Sequence, residues 1–134
     1  MRILLIIAAL LMTSACAAGN DLALCDAEER YKTASHFSDF VQKVNYKYAF
    51  EDIENLSTEE VIEQVATGDE NYRSILNKFI VESYVEGDNV VMLMCESDSL
   101  IIEDAGCTAK VEKVFECGER PECALSSSAF QACN

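Results

Sequence analysis

The sequence predicts an all-α fold, a small disulfide-stapled helical domain behind a cleaved signal peptide. Three observations point there. Residues Met1–Ala17 form an apolar leader that ends in small side chains, and six cysteines follow it. Apolar residues then recur at helical spacing, with no glycine or proline from Cys25 to Phe50.

The leader has three parts. Arg2 supplies a positive charge, Ile3–Met12 is a continuous apolar run, and Ala15 and Ala17 stand at −3 and −1 of a cut before Ala18, where a signal peptidase accepts small residues. A membrane anchor would need about twenty apolar residues, and Thr13 and Ser14 end this run too early. A lipoprotein reading of Cys16 meets Thr13 where Leu is usual three residues before the lipidated cysteine. The expected organisation is therefore residues 1–17 as signal peptide and 18–134 as one cysteine-framed domain.

Seven cysteines are present, and Cys16 departs with the leader. The even remainder, Cys25, Cys95, Cys107, Cys117, Cys123 and Cys133, reads as a disulfide framework in an exported chain. Zinc would want tight Cys-x-x-Cys pairs with histidine, whereas five residues separate Cys117 from Cys123 and the single histidine, His36, is remote in sequence. Six cysteines allow many connectivities. The spacing from Cys107 to Cys133 mirrors about Gly118–Glu122 and favours a nested hairpin: Cys117–Cys123 at its turn, Cys107–Cys133 at its base, with Cys25–Cys95 tying the first helix to the fourth.

Along the chain, Ala27, Tyr31, Ala34, Phe37, Val41, Val44 and Tyr48 step by threes and fours, predicting one long helix over Cys25–Phe50. Ser57 with Glu60 three residues on is a capping box. It opens a short helix faced by Val61, Ile62 and Val65, which stops at Gly68. Asp69 caps a third helix running through Tyr72, Ile75, Leu76, Phe79, Ile80 and Tyr84 to Gly87. The run Val90–Cys95 fits a buried helix or a strand by period alone; Asp88 as cap and the Met and Leu content favour a helix. Leu100–Ile102 is a further apolar patch, Thr108–Cys117 a further expected helix, and Ser126–Cys133 a last helical turn.

The chain carries a net charge of −14, one unit more negative once Arg2 leaves. Such a balance disfavours nucleic acid and anionic membrane as partners. Enzyme chemistry has no motif here. A nucleophile–base pair would have to recruit His36, which nothing around it supports. Glu96, Asp98, Glu103 and Asp104 form a dense acidic cluster but lack the glycine and terminal glutamate of an EF-hand loop. No cofactor or metal site is expected. Asn55-Leu56-Ser57 is an N-glycosylation sequon. The resulting expectation is a secreted, non-enzymatic extracellular protein that binds an unidentified protein partner through its surface. The alternative is a carrier whose Tyr31, Phe37, Tyr72, Phe79 and Tyr84 line a cavity for a small apolar ligand.

Overall fold

The structure, a computed structural model, describes residues 22–111 and 113–134. The leader, its cleavage site and Cys16 lie outside the described residues. Helix α1 spans Ala27–Phe50. Asp26 caps it by accepting from the Glu29 amide at 2.9 Å, with Glu28 and Glu29 in the first turn and Lys47 in the last, each sign matched to the helix dipole. Its buried stripe includes Ala34, Phe37, Phe40, Val41 and Val44. Helix α2, Thr58–Ala66, opens with the full capping box: the Ser57 hydroxyl accepts from the Glu60 amide, and the Glu60 carboxylate accepts from the Ser57 amide. Helix α3, Glu70–Lys78, is capped by Asp69, which accepts from the Asn71 and Tyr72 amides.

Beyond Lys78 the helical expectation fails. Four strands, β1 (Ile80–Glu86), β2 (Asn89–Glu96), β3 (Ser99–Ala105) and β4 (Lys113–Val114), form an antiparallel sheet in that order. The fold is therefore helices with a four-stranded sheet, not all-α. Ile80 and Tyr84, expected on a continued third helix, belong to β1, and Asp88 is a turn residue rather than a cap. Gly87 and Asp88 make the two-residue hairpin loop between Glu86 and Asn89. Gly87 sits at φ +61°, a backbone setting that glycine adopts without strain. The second hairpin turns through Ser97 and Asp98, with Ser97 at φ +51°. The expected helix over Thr108–Cys117 is loop plus the short β4, and the C-terminal turn is a 3₁₀ segment at Gln131–Cys133.

Sheet faces sort the core into two clusters. Val90, Met92, Met94, Ile101 and Ile102 pack beneath the helices, with Phe37, Phe40, Val41 and Val44 above them. Ile101 and Ile102 both reach that side because the β2–β3 register shifts between Met94 and Cys95, a bulge that reverses the alternation. On the opposite face, Val91, Leu93, Cys95, Leu100 and Ala105 are covered by a C-terminal arm bearing Phe115, Leu125, Ala129 and Phe130. Three layers result: helices, sheet, arm.

At the end of β3 the helix layer comes close. A Cβ on Gly106 would stand 2.4 Å from the Asn45 Cβ and 2.7 Å from the Val41 carbonyl oxygen, so only glycine fits. Asn45 itself accepts from the Val90 amide at 2.7 Å, joining α1 to the start of β2. No helix among the described residues is long and apolar enough to cross a membrane.

The six cysteines are all paired, as Cys25–Cys117, Cys95–Cys123 and Cys107–Cys133. Only Cys107–Cys133 matches the nested expectation. Cys95 faces the arm, on the sheet side away from α1, so it meets Cys123 rather than Cys25. Residues 118–122 form no closed hairpin; instead the Leu100 amide donates to the Pro121 carbonyl and the Cys123 amide to the Asp98 carbonyl.

Candidate functional site

Two polar stripes face one another across the helix layer. On α1, Glu29, Lys32 and His36 recur at steps of three and four; on α3, Asn71, Ser74 and Lys78 do the same. Residues so spaced share one helix face. Between the stripes lies a cleft of about 390 Å³, floored by Leu24, Ile75 and Phe79, within the range of small-molecule sites. Its titratable lining is Lys32, His36 and Lys78 against Glu29. Among the described residues, no ion pair engages either lysine or His36. A net-acidic protein thus keeps Lys32 and Lys78 out of ion pairs at one hollow, while His36 stands near enough to Asp39 to help lower that carboxyl's pKa.

The α3 wall is held in place by Tyr72. Its ring stacks on Phe40 at 4.7 Å between centroids and an interplanar angle of 8°. Its hydroxyl donates to Asp39, while the Lys43 ammonium stands 3.3 Å from Asp39 and 4.9 Å from the Tyr72 ring centre. The Tyr72 hydrogen bond holds the Asp39 carboxyl below its ordinary range, and burial followed by that same bond pushes the Tyr72 phenol up.

The end wall of the cleft is the segment Ala23–Leu24, with Leu24 at φ +60°. The Ala23 amide donates to both carboxylate oxygens of Glu96, at 3.2 and 3.0 Å, and Arg120 donates to the Ala23 carbonyl. Arg30, almost wholly buried, donates to the Leu24 and Cys25 carbonyls at 3.2 and 3.0 Å. Burial lowers the Arg120 pKa, with Glu96 opposing and Arg30 adding to the shift. The Cys25–Cys117 bridge locks this junction between the start of the domain and the arm.

Of the residues singled out from sequence, His36 lies half-buried in the cleft. The five candidate cavity aromatics do not meet: Phe37 and Tyr72 are packed in the helical core, Tyr84 lies on the arm side of the sheet, Tyr31 is exposed, and Phe79 alone lines the cleft. The acidic cluster disperses too. Glu96 anchors Ala23, while Glu103 and Asp104 are buried on opposite faces of β3. Among the described residues, no group of three or more His, Cys, Asp or Glu side chains stands ready to hold a metal ion.

One constellation escaped sequence reasoning. Glu103 accepts from the Ser126 amide at 2.9 Å and hydroxyl at 2.6 Å, with the Lys113 ammonium 3.2 Å away. Lys113 also donates to Ser126 at 2.8 Å and Ser128 at 3.3 Å. Burial works to raise the Glu103 pKa, but these hydrogen bonds outweigh it and hold the carboxylate below its ordinary range. The Ser126–Lys113 contact has the reach of a nucleophile–amine pair, yet both groups point their donors at Glu103, which makes the trio a clasp for the arm. No sequence signal marks a clasp whose members lie 10 to 23 residues apart.

No family model, curated protein or solved structure matches this chain.

Proposed function

We propose that this chain is exported and acts as a non-enzymatic extracellular binding protein, its recognition site the cleft between α1 and α3. Three disulfides support an oxidising compartment. The observation that carries the binding assignment is the pairing of an apolar floor, Leu24, Ile75 and Phe79, with a rim in which Lys32, Lys78 and His36 stand against the one carboxylate of Glu29, in a chain of net charge −14. A floor of this kind takes a short apolar body, and the rim takes its anionic head. The ligand class is therefore a small amphipathic anion such as a carboxylate with an aliphatic tail, more polar than the purely apolar cargo the aromatics alone suggest.

Titrating isotope-labelled residues 18–134 with octanoate, and separately with octan-1-ol, tests this by NMR. Octanoate is expected to shift the resonances of His36, Ile75 and Phe79, and octanol to bind more weakly. The double change Lys32→Glu with Lys78→Glu is expected to weaken octanoate about tenfold, from exposed charge contacts of up to about 1 kcal/mol each. Absence of octanoate-dependent shifts around the cleft would refute the assignment.

A second reading has its own observation. Tyr46 and Phe50 are 57% and 75% exposed, with ring centres 4.9 Å apart at the C-terminal end of α1. An exposed aromatic pair suits docking of another protein. Loss of a captured extracellular partner on Phe50→Ala, with retention on Lys32→Glu/Lys78→Glu, would favour this face over the cleft.

A further inference from the structure

We infer that Asn55 is an N-glycan acceptor, at the end of the helix layer remote from the cleft. The inference rests on export, as proposed above. Asn55-Leu56-Ser57 is the one sequon in the chain. It falls in the turn between α1 and α2, where Asn55 is exposed while Leu56 packs against the core. The Leu56 amide donates to the Ile53 carbonyl at 2.9 Å, so the turn is anchored and its asparagine projects from a fixed base.

Ser57 has two uses. In the folded chain its hydroxyl and amide are both engaged by Glu60 in the capping box, whereas a glycosyl transferase reads that hydroxyl in an extended chain. Transfer must therefore precede closure of the turn. Chain order permits it: the whole sheet, and every framework cysteine except Cys25, follow Asn55, so the acceptor enters the lumen before the elements that complete the fold exist.

The co-reactant is a polyisoprenyl-pyrophosphate-linked oligosaccharide. The Asn55 Nδ2 forms a bond to the anomeric carbon, the carbon–oxygen bond to pyrophosphate breaks, and the amide proton leaves to the released pyrophosphate. The glycan then occupies the turn five residues past Phe50. His36 lies fourteen residues back from Phe50 along α1, about 21 Å along the helix axis at 1.5 Å per residue. The sugar stands toward the opposite end of α1 from His36 and leaves the cleft open.

The test is expression of the full chain, with its own leader, in cells with a eukaryotic secretory pathway, followed by amidase digestion and peptide mass mapping of material from the medium. Wild type and Ser57→Thr, which keep both sequon and cap, should each carry one glycan and yield Asp at position 55 after digestion. Ser57→Asp keeps a capping oxygen but destroys the sequon; it and Asn55→Gln should be secreted without sugar. Secreted wild type with an unmodified Asn55 would overturn the inference and leave export standing. Chain retained in the cytosol with its leader intact would overturn export, and the inference with it.

Discussion

The helix layer and the C-terminal arm cover opposite faces of the same sheet by different means. Above the sheet, α1 offers a regular stripe of fully buried side chains, Phe37, Phe40, Val41 and Val44, and needs no covalent help along its length. Below it, residues 115–134 hold little regular structure, and their apolar contribution is a few partly buried groups such as Phe115, Leu125 and Phe130. That side has Cys117, Cys123 and Cys133 and the Glu103 clasp instead. A surface that cannot exclude water by packing alone is held by bonds and by a few well-partnered charges.

The contrast can be broken at its covalent end first. Replacing Cys25 and Cys117 together by Ala opens a link spanning 92 residues, worth about 4–5 kcal/mol by the chain-entropy relation, against about 3.5 kcal/mol for Cys107 with Cys133, 26 residues apart. Guanidinium unfolding of both double variants should show the first less stable by about 1 kcal/mol. In the helix layer, Phe37→Ala should cost about 3–5 kcal/mol, since the ring is fully buried, while leaving all three disulfides formed on non-reducing peptide maps.

Next comes the clasp. Glu103→Ala takes the acceptor from the Ser126 amide and hydroxyl and the carboxylate from Lys113, which keeps Ser126 and Ser128, and should cost about 1.5–3 kcal/mol, the scale of hydrogen bonds to a charged group. Its signature is in acid. The folded Glu103 pKa lies below its unfolded value, so its stabilisation is complete above the ordinary glutamate range and fades as pH falls through the lowered folded value. Stability of Glu103→Ala should accordingly fall less between neutral pH and pH values below the glutamate range than wild type does. The smallest effect sits where helix and sheet touch: Gly106→Ala forces a Cβ against Asn45 and Val41 and should cost about 1–3 kcal/mol.

The two regions also differ in how far they could be read in advance. Helices α1 and α2 form where periodicity and the Ser57–Glu60 capping box put them, because their signals are local. The strands were missed for a tertiary reason. β2 is buried by helices on one face and by the arm on the other, so Val90–Cys95 shows no alternation and reads equally as helix. Ile80 and Tyr84, four apart, extended the α3 stripe by coincidence. The Gly87–Asp88 pair between two apolar runs was the one local hairpin signal available. The cleft was half legible: His36 stood out as the single histidine, but its partners Lys78 and Phe79 come from a helix whose placement beside α1 depends on the Tyr72 stack. The disulfide pairing was out of reach because it depends on which sheet face Cys95 presents.

Every bridge joins a cysteine at or before position 107 to one at or after position 117. The exposed Lys110 lies in the gap, a side chain after which a trypsin-like protease cuts. A cut there severs the backbone but separates nothing, since all three cross-links span the wound and the clasp still holds the arm to β3. Nicked molecules would stay joined as a long piece and a short one. They would be whole on a non-reducing gel and two pieces on a reducing one.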